Sequence, residues 1–237
     1  MNTKVLTIIL LLIIVLVSCA PSPPRIINHE KPNLQVDFSP FKNFGCEFFS
    51  PIWYRCEEGS LLYNLGCSYV EEMPSLGGLI PKYPIAACIL EINEDSDVAD
   101  LPDSCLYYDG GFTTYCYRYV IYKEHSYQLV EGTEGFREFY APVNSPDEAL
   151  SFVLANDDYE AYYEQTKNKD YEYFAQTLED TFVETVVDGY IVHVFNTYSV
   201  CDAYETRSIQ IKVTHDGYLT ELNNTLVYRD PTRYGCE

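Results

Sequence analysis

Nine cysteines constrain the fold of this chain more than any other feature of its sequence. One of them, Cys19, directly follows a long apolar run near the N-terminus. The other eight are spread over the remainder of the chain: Cys46, Cys56, Cys67, Cys88, Cys105, Cys116, Cys201 and Cys236. In an exported chain, an even set of cysteines predicts a disulfide framework, although it leaves many connectivities open. The absence of a CxxC spacing argues against a thioredoxin-like redox centre and against a zinc ribbon.

The first 18 residues have the composition of a secretory signal peptide. Lys4 supplies a short basic region, and Val5 to Val17 form an apolar stretch in which Thr7 is the polar interruption. This stretch is shorter than the roughly 20 apolar residues that a transmembrane helix needs. It fits the central region of an export signal, and we expect residues 1–18 to be removed.

The segment Leu16-Val17-Ser18-Cys19 resembles the lipobox of bacterial lipoproteins, in which an aliphatic residue and two small ones precede an invariant cysteine. The resemblance implies that the thiolate of Cys19 accepts a diacylglyceryl group and that Cys19 becomes the first residue of the mature protein. The mature protein is then anchored by lipid in the cell membrane or outer membrane, facing the periplasm or the exterior. The proline-rich residues 20–24 favour an extended tether, which we expect to occupy residues 19–40 together with the lipidated cysteine.

Two disulfide pairings can be argued from the sequence. Gly110-Gly111 is a natural two-residue hairpin turn. Pairing outward from it sets Asp109 opposite Phe112 and Cys105 opposite Cys116, close enough for a bridge. Two other cysteines, Cys201 and Cys236, are distant from the rest and are expected to pair with each other. The remaining four, Cys46, Cys56, Cys67 and Cys88, then bond among themselves in an order that the sequence leaves open.

Residues 41–135 form a cysteine-rich half that we expect to be a disulfide-stapled, β-rich module. The runs 84–90 and 116–122 combine β-branched and aromatic residues and predict strands. The intervening segment 93–103 is acidic and predicts a loop.

Residues 136–237 are predicted to hold a helix packed on a four-stranded antiparallel sheet. Ser145 is a helix cap, Pro146 suits the first helical position, and Glu148 completes a capping box. The spacing of the next apolar residues predicts a buried stripe: Ala149, Leu150, Val153 and Leu154. The predicted class is therefore α+β, and the order of a helix followed by four strands resembles cystatin-like folds at the level of architecture.

The four strands are predicted as two hairpins. Asp188-Gly189 is the expected turn of the first, and pairing outward from it places Glu184 opposite His193. Both faces of this hairpin are largely apolar, which predicts a central, covered position. In the second hairpin the expected turn is Asp216-Gly217, with Lys212 opposite Glu221 on a wet face. The predicted buried face of that hairpin carries Ile209, Ile211, Val213 and Leu222.

The charge balance narrows the classes of partner. Acidic residues number 36 and basic residues 15, so the formal net charge is −21. Such a charge repels nucleic acid and anionic lipid headgroups. Its main interpretation is a well-solvated secreted surface, and a basic partner or divalent cations are the alternatives. The sequence predicts no cofactor, no metal centre and no interaction with nucleic acid.

Two weak candidate sites involve titratable side chains. Glu184 and His193 form the best titratable pair, since a carboxylate can orient an imidazole as a general base. The sequence places no nucleophile beside them, and we predict no catalytic residue. In the acidic loop, Asp95, Asp97 and Asp100 could supply oxygen ligands to a weak, irregular calcium site. That loop departs from the EF-hand pattern at Val98 and Ser104, where a glycine and a glutamate are required.

Tyrosine is unusually frequent, with 23 residues. Tyrosine is a good strand residue, so a scaffold role is the main interpretation of this excess. The alternative is a surface for a protein or carbohydrate ligand, formed by five tyrosines that lie in one acidic stretch: Tyr159, Tyr162, Tyr163, Tyr171 and Tyr173. The leading hypothesis is a non-enzymatic, lipid-anchored envelope protein that binds a partner. Its alternatives are a protease-inhibitor-like module and an uncharacterised envelope enzyme.

Overall fold

The computed structural model describes residues 23–42, 45–92, 104–110, 114–200 and 203–233. The predicted signal peptide and Cys19 lie outside the described residues, as do the predicted cation ligands Asp95, Asp97 and Asp100. Within these ranges the protein is a mixed structure of helices and mainly antiparallel strands, as the predicted α+β class requires.

The N-terminal half forms a seven-stranded antiparallel sheet among the residues described. Its strands are β2 (Cys46–Phe48), β3 (Trp53–Cys56), β4 (Tyr69–Glu71), β5 (Ile85–Ile92), β6 (Tyr107–Gly110), β7 (Thr114–Lys123) and β8 (Ser126–Val130). Neighbouring strands follow the order β2-β3-β4-β5-β7-β6, and β8 also pairs with β7. The predicted strands at 84–90 and 116–122 correspond to β5 and β7, whose central residues are buried on both faces because the sheet is covered on both sides.

The C-terminal half forms a five-stranded antiparallel sheet within the described part of the chain. The four predicted strands are present, and a two-residue strand adds to the edge of the last one. The members in spatial order are β11 (Phe182–Val186), β12 (Gly189–Val200), β13 (Ala203–Thr214), β14 (Leu219–Asp230) and β9 (Glu172–Tyr173). The first hairpin is not central, because β11 is an edge strand of this sheet.

The helices are short, and one of them occupies the centre of the molecule. The helical segments are α1 (Leu61–Asn64), α2 (Gly132–Tyr140) and α3 (Pro146–Asn156), with 3-10 turns at Ser39–Phe41 and Pro74–Gly78. Helix α3 begins where the sequence predicts, and the Ser145 hydroxyl accepts a hydrogen bond from the Glu148 N–H at 3.2 Å. The Glu148 carboxylate accepts the N–H of Asn144, one residue before the cap.

Helix α3 is buried around its circumference rather than along one stripe. It packs between the 3-10 turn Pro74–Gly78 and strands β11–β13. The Ser151 hydroxyl accepts the N–H of Gly78 at 3.0 Å and donates to the carbonyl of Ser75, which satisfies a polar group in this apolar setting. A Cβ on Gly78 would lie 2.1 Å from the Asp147 carbonyl oxygen, so this close approach requires glycine.

The segment that we predicted as the later part of a tether is packed against the body of the protein. Strand β1 (Arg25–Ile27) pairs in parallel with β10 (Thr177–Glu179). Further along, Phe38 and Phe41 are buried in a cluster beneath the N-terminal sheet. Burial of these apolar side chains is favourable and holds the segment against the body of the protein.

One hydrophobic core contains side chains from both halves of the chain, with α3 between them. Helix α2 spans the boundary that we predicted at residue 135. The division into a module at 41–135 and another at 136–237 stays a prediction.

Disulfides in the described ranges join Cys46 to Cys56, Cys67 to Cys88 and Cys105 to Cys116. The pairing of Cys105 with Cys116 is confirmed, and the four cysteines left open in the sequence bond among themselves. Cys201 and Cys236 lie outside the described residues, and their pairing stays a prediction.

The predicted register around Cys116 is wrong, although the disulfide forms. Gly110 pairs with Thr114 and Tyr108 lies opposite Cys116, so the connection is longer than a two-residue turn. Tyr107 lies opposite Tyr117 instead, and the two rings stack with centroids 4.5 Å apart. This aromatic pair favours the observed register.

The register of the β11–β12 hairpin differs from the prediction by two residues. Val186 pairs with Gly189, so the turn is formed by Val187 and Asp188. Gly189 is required within the sheet because an added Cβ would lie 2.0 Å from the Val213 carbonyl oxygen on β13. A shift of two residues keeps each side chain on its predicted face, since strand side chains alternate with a period of two.

The β13–β14 hairpin has an irregularity that the sequence did not indicate. Lys212 lies opposite Thr220 rather than Glu221, because the register shifts between Gln210 and Ile211. The Lys212 ammonium instead contacts the Asp188 carboxylate at 2.6 Å. The buried positions Ile209, Ile211 and Val213 are confirmed, whereas Leu222 is wrongly assigned and is 50% exposed at the bulged strand.

Candidate ligand-binding site

A cavity of about 750 Å³ opens beside the C-terminal half of α3. Leu150 and Leu154 of the helix contribute apolar surface, and residues 31–34 and 73–75 line the cavity as well. Four tyrosines and the acidic side chains of Asp157, Asp158 and Glu160 also line it; the tyrosines are Tyr107, Tyr159, Tyr162 and Tyr163. We call this cavity the tyrosine cleft. Its size and its mixture of apolar surface with a few polar groups are typical of small-ligand sites.

Backbone hydrogen bonds hold the segment that supplies three of these tyrosines. Glu160 and Phe195 exchange backbone hydrogen bonds of 2.8 and 2.9 Å, which attach the segment to β12. Tyr162 donates its N–H to the Thr181 hydroxyl, and its carbonyl accepts the N–H of Thr181. The tyrosines therefore project from a fixed backbone, which reduces the entropy that a ligand must overcome on binding.

The buried carboxylate of Asp180 also holds the tyrosine-bearing segment in place. Asp180 is 1% exposed, and its oxygens accept the N–H groups of Glu164 at 3.0 Å and Gln165 at 3.2 Å. It also accepts the N–H of His29 at 3.2 Å. One side chain thus ties the N-terminal segment and the end of the tyrosine segment to the connection between β10 and β11.

Two of the cleft tyrosines contact carboxylates through their hydroxyl groups. The Tyr162 hydroxyl donates to the Glu160 carboxylate, and burial, reinforced by this hydrogen bond, raises the pKa of Tyr162 above its ordinary value. Burial also raises the pKa of Tyr159, with the charge and hydrogen bond of Asp157 adding to the effect. These phenols remain neutral and polar at physiological pH.

The other two tyrosines are held differently. Tyr107 stacks on Tyr117, and burial raises its pKa, with neighbouring tyrosines and Asp158 contributing. Burial raises the pKa of Tyr163 to about 12, and the charges of Asp147 and Asp180 act in the same direction. The Lys31 ammonium lies 6.0 Å from the centroid of the Tyr163 ring, within the range of a cation–π contact.

A second cavity of about 720 Å³ adjoins the tyrosine cleft and shares Lys31, Tyr162 and Tyr163 with it. Tyr171 and Tyr228 line this second cavity, with ring centroids 4.8 Å apart. Tyr173, the last of the five predicted tyrosines, packs edge-on against Tyr228. The structure therefore brings Tyr159, Tyr162 and Tyr163 together in the cleft and places Tyr171 in the adjoining cavity.

No sequence pattern indicated that Tyr107 and Lys31 belong to the cleft. Tyr107 comes from β6, and Lys31 comes from the segment predicted as a tether. Neither has a local pattern that connects it with residues 159–163, because the cleft exists only where α3 brings the two halves together.

The predicted pair of Glu184 and His193 forms, but outside the cleft. The two residues are not directly opposite each other, since His193 pairs in register with Phe182. Their side chains still meet diagonally, with His193 Nε2 2.8 Å from Glu184 Oε1. His193 Nδ1 lies 3.4 Å from the Gln210 amide, and its ring stacks on Phe182. Both ring nitrogens therefore have protein neighbours, as in a structural cross-strand pair.

The N-terminal sheet presents a second feature of interest at the tip of its first hairpin. Three apolar side chains are exposed there: Phe48 at 68%, Phe49 at 55% and Ile52 at 57%. The N–H groups of Phe49 and Ser50 both donate to the Trp53 carbonyl, and a disulfide joins the two strands at the base. The result is a stiff, apolar hairpin tip.

Within the described ranges, no three side chains of His, Cys, Asp or Glu come together as a metal site. None of the helices in those ranges is long and apolar enough to cross a membrane.

No protein-family model, curated protein or solved structure matches this chain.

Proposed function

We propose that this protein is a lipid-anchored, extracytoplasmic binding protein of a bacterial envelope, and that it captures its ligand in the tyrosine cleft. The observation that carries the binding role is the grouping of Tyr107, Tyr159, Tyr162 and Tyr163 around one cavity on a fixed backbone. Tyrosine rings offer large contact area at little entropic cost, and their hydroxyl groups give direction to polar contacts.

The disulfides support the proposed compartment. Disulfides form and persist in oxidising environments, such as the periplasm and the cell exterior. The lipobox-like segment ending at Cys19 supports anchoring in the cell membrane or outer membrane.

The chain emerging toward Cys19 supports a short anchor. Pro23 and Pro24 line a cavity beside two exposed lysines, Lys167 and Lys169. The four residue-to-residue steps from Cys19 to Pro23 can span at most about 14 Å, because each extended step covers roughly 3.5 Å. A lipid on Cys19 would thus hold this lysine-bearing surface near the headgroups.

The anchor is tested by intact and peptide mass spectrometry of the unreduced protein from its native membrane. A diacylated or triacylated Cys19 is expected, together with four internal disulfides if Cys201 and Cys236 also pair. An unlipidated chain cut at another position would contradict the anchor.

The binding role is tested by ligand screening on the same protein. A ligand of the cleft should lose affinity in Tyr163→Ala and keep it in Tyr218→Ala, a matched change of an exposed tyrosine outside the cleft. A ligand that binds both variants and the parent equally does not use the cleft. A specific hydrolytic activity lost on Glu184→Gln or His193→Ala would replace the binding role with an enzymatic one.

A second candidate function, protease inhibition, is favoured by the apolar hairpin tip. A stiff, disulfide-closed loop with exposed Phe48, Phe49 and Ile52 has the shape and chemistry to enter a protease cleft. The cystatin-like order of helix and strands, which stays a prediction, motivates the same candidate.

Protease assays separate the two candidates. An inhibitor should block at least one cysteine or serine protease in a panel, and the double change Phe48→Ala with Ile52→Ala should abolish the inhibition. Full activity of every protease in the panel would remove this candidate.

A further inference from the structure

Most of the charged side chains that line the tyrosine cleft are acidic. Asp157, Asp158 and Glu160 line the cleft, whereas Lys31 is the basic residue in the lining. The adjoining cavity adds Glu164 and shares the same lysine. The net charge of the whole chain, −21, extends the negative potential beyond the cleft.

The aromatic rings act in the same direction as the carboxylates. The face of a tyrosine ring is electrostatically negative and attracts an ammonium or guanidinium group. A neutral sugar could stack on these rings, but it would gain little from the surrounding charge. An anionic ligand would be repelled.

The chain supplies a model for such an occupant. Lys31 is an exposed residue of the N-terminal segment. Its ammonium nevertheless lies over the Tyr163 ring, 6.0 Å from the ring centroid, where the two cavities meet. This position places an alkylammonium group at the junction of the two cavities, at the outer limit of a cation–π contact with Tyr163. It also means that Lys31 competes, by charge and by space, with any external cation.

We infer that the ligand of the tyrosine cleft is an extended molecule carrying alkylammonium or guanidinium groups, and that Lys31 is an internal competitor which the ligand displaces. The inference rests on the proposed function, because it names the chemistry of the ligand for the same cleft. Two sources share this chemistry: a free linear polyamine and a basic segment of a peptide.

The test is calorimetric titration of the purified oxidised protein with three probes. Spermidine represents a polyamine, acetyl-Lys-Ala-Lys-Ala-Lys-amide represents a basic peptide, and maltotriose represents a neutral sugar. Binding of either cationic probe is expected, with affinity that falls as salt concentration rises. Tighter binding of spermidine identifies the polyamine source, and tighter binding of the peptide identifies a protein partner.

Variants of Lys31 give the decisive comparison. Lys31→Met keeps most of the side-chain stem and removes the charge, so it should tighten binding of the cationic probe about three- to ten-fold. Lys82→Met, a change of an exposed lysine outside the cleft, should leave the affinity unchanged. Asp157→Asn should weaken binding by a similar factor, and the unfolding temperature of each variant verifies that it is folded.

The outcomes distinguish this inference from the proposed function. If maltotriose binds and loses affinity in Tyr163→Ala, while neither cationic probe binds, the cleft remains a binding site and the cationic ligand is overturned. Weaker binding of the cationic probe by Lys31→Met would overturn the role of Lys31 as a competitor. A probe whose binding is unchanged by Tyr163→Ala does not occupy the cleft, and that result would overturn the proposed site itself.

Discussion

His29 and His193 stack on opposite faces of a single ring, that of Phe182. The ring centroids lie 4.5 Å apart on the His29 side and 3.8 Å apart on the His193 side. Each imidazole also contacts a carboxylate, since His29 lies 2.9 Å from Glu179 and His193 lies 2.8 Å from Glu184. The stack therefore joins the N-terminal segment to the edge of the C-terminal sheet.

Replacing Phe182 with leucine should loosen this junction. We expect Phe182→Leu to lower the free energy of unfolding by about 1–2 kcal/mol, because two stacked contacts are lost and a smaller side chain remains. Chemical denaturation measures the change. Val187→Ala, a substitution at the fully exposed turn of the same hairpin, is the control and should be close to neutral. Equal stability of the two variants would show that the stack contributes nothing.

Removing the Asp180 carboxylate should destabilise the protein more strongly than Phe182→Leu does. Asp180→Ala leaves the N–H groups of His29, Glu164 and Gln165 without their acceptor. We expect a loss of about 3 kcal/mol, since each buried donor left unsatisfied costs roughly 1–3 kcal/mol and part of the segment can relax toward water. Urea denaturation of Asp180→Ala against the exposed change Asp170→Ala measures it. A loss no larger than that of Asp170→Ala would contradict the anchoring role.

The contribution of Glu71 to the stability of the folded protein should depend on pH. Burial raises the pKa of this carboxyl above its ordinary value of 4.5, and the hydrogen bond from Trp53 Nε1–H at 3.0 Å opposes the shift only in part. A raised carboxyl pKa means that ionisation costs stability. The cost is absent below the unfolded-state pKa, grows as pH rises through the folded-state pKa, and is complete above it.

Glu71→Gln removes that cost while keeping an oxygen that can accept the Trp53 N–H. The variant should therefore unfold at a higher temperature than the parent at pH 7, and the difference should shrink toward pH 4. Thermal denaturation across this range measures the effect. Glu72→Gln, at the exposed neighbouring position, should show no such gain. A difference that is the same at both pH values would disprove the assignment to ionisation.

Three half-buried tyrosines, Tyr107, Tyr127 and Tyr163, should ionise only at a pH above the ordinary tyrosine pKa. Burial raises the pKa of Tyr127 and of Tyr163 to about 12 in each case, and burial raises the pKa of Tyr107 still further. Because these groups resist ionisation in the folded state, stability is retained up to the ordinary tyrosine pKa near 10 and is lost as pH rises above it.

Absorbance titration at the tyrosinate band measures this behaviour. Tyr163→Phe should remove one of the groups that ionise only at high pH, and Tyr218→Phe, at a 53% exposed position outside the cleft, is the matched control and should leave those groups in place. A high-pH transition that is unchanged in Tyr163→Phe would place Tyr163 in water rather than in the cleft wall.

Several local features could be predicted from the sequence because the groups that decide them are neighbours. The start of α3 follows from the hydroxyl of Ser145, the ring of Pro146 and the N–H of Glu148, which lie within one turn. The faces of β13 follow from the alternation of Ile209, Ile211 and Val213. The pairing of Cys105 with Cys116 was correct even though the register was wrong, because a short hairpin keeps its two ends close for several registers.

The tertiary structure decided what depends on residues distant in the sequence. Gly189 takes its place in the strand rather than the turn because the Val213 carbonyl leaves no room for a Cβ. Tyr107 and Lys31 line the same cleft as Tyr163 only because α3 packs between the two sheets and residues 25–41 pack against the body of the protein. The sequence alone thus determined the helix cap, the alternation of strand faces and the tyrosine-rich stretch, whereas long-range packing decided the strand registers and created the cleft.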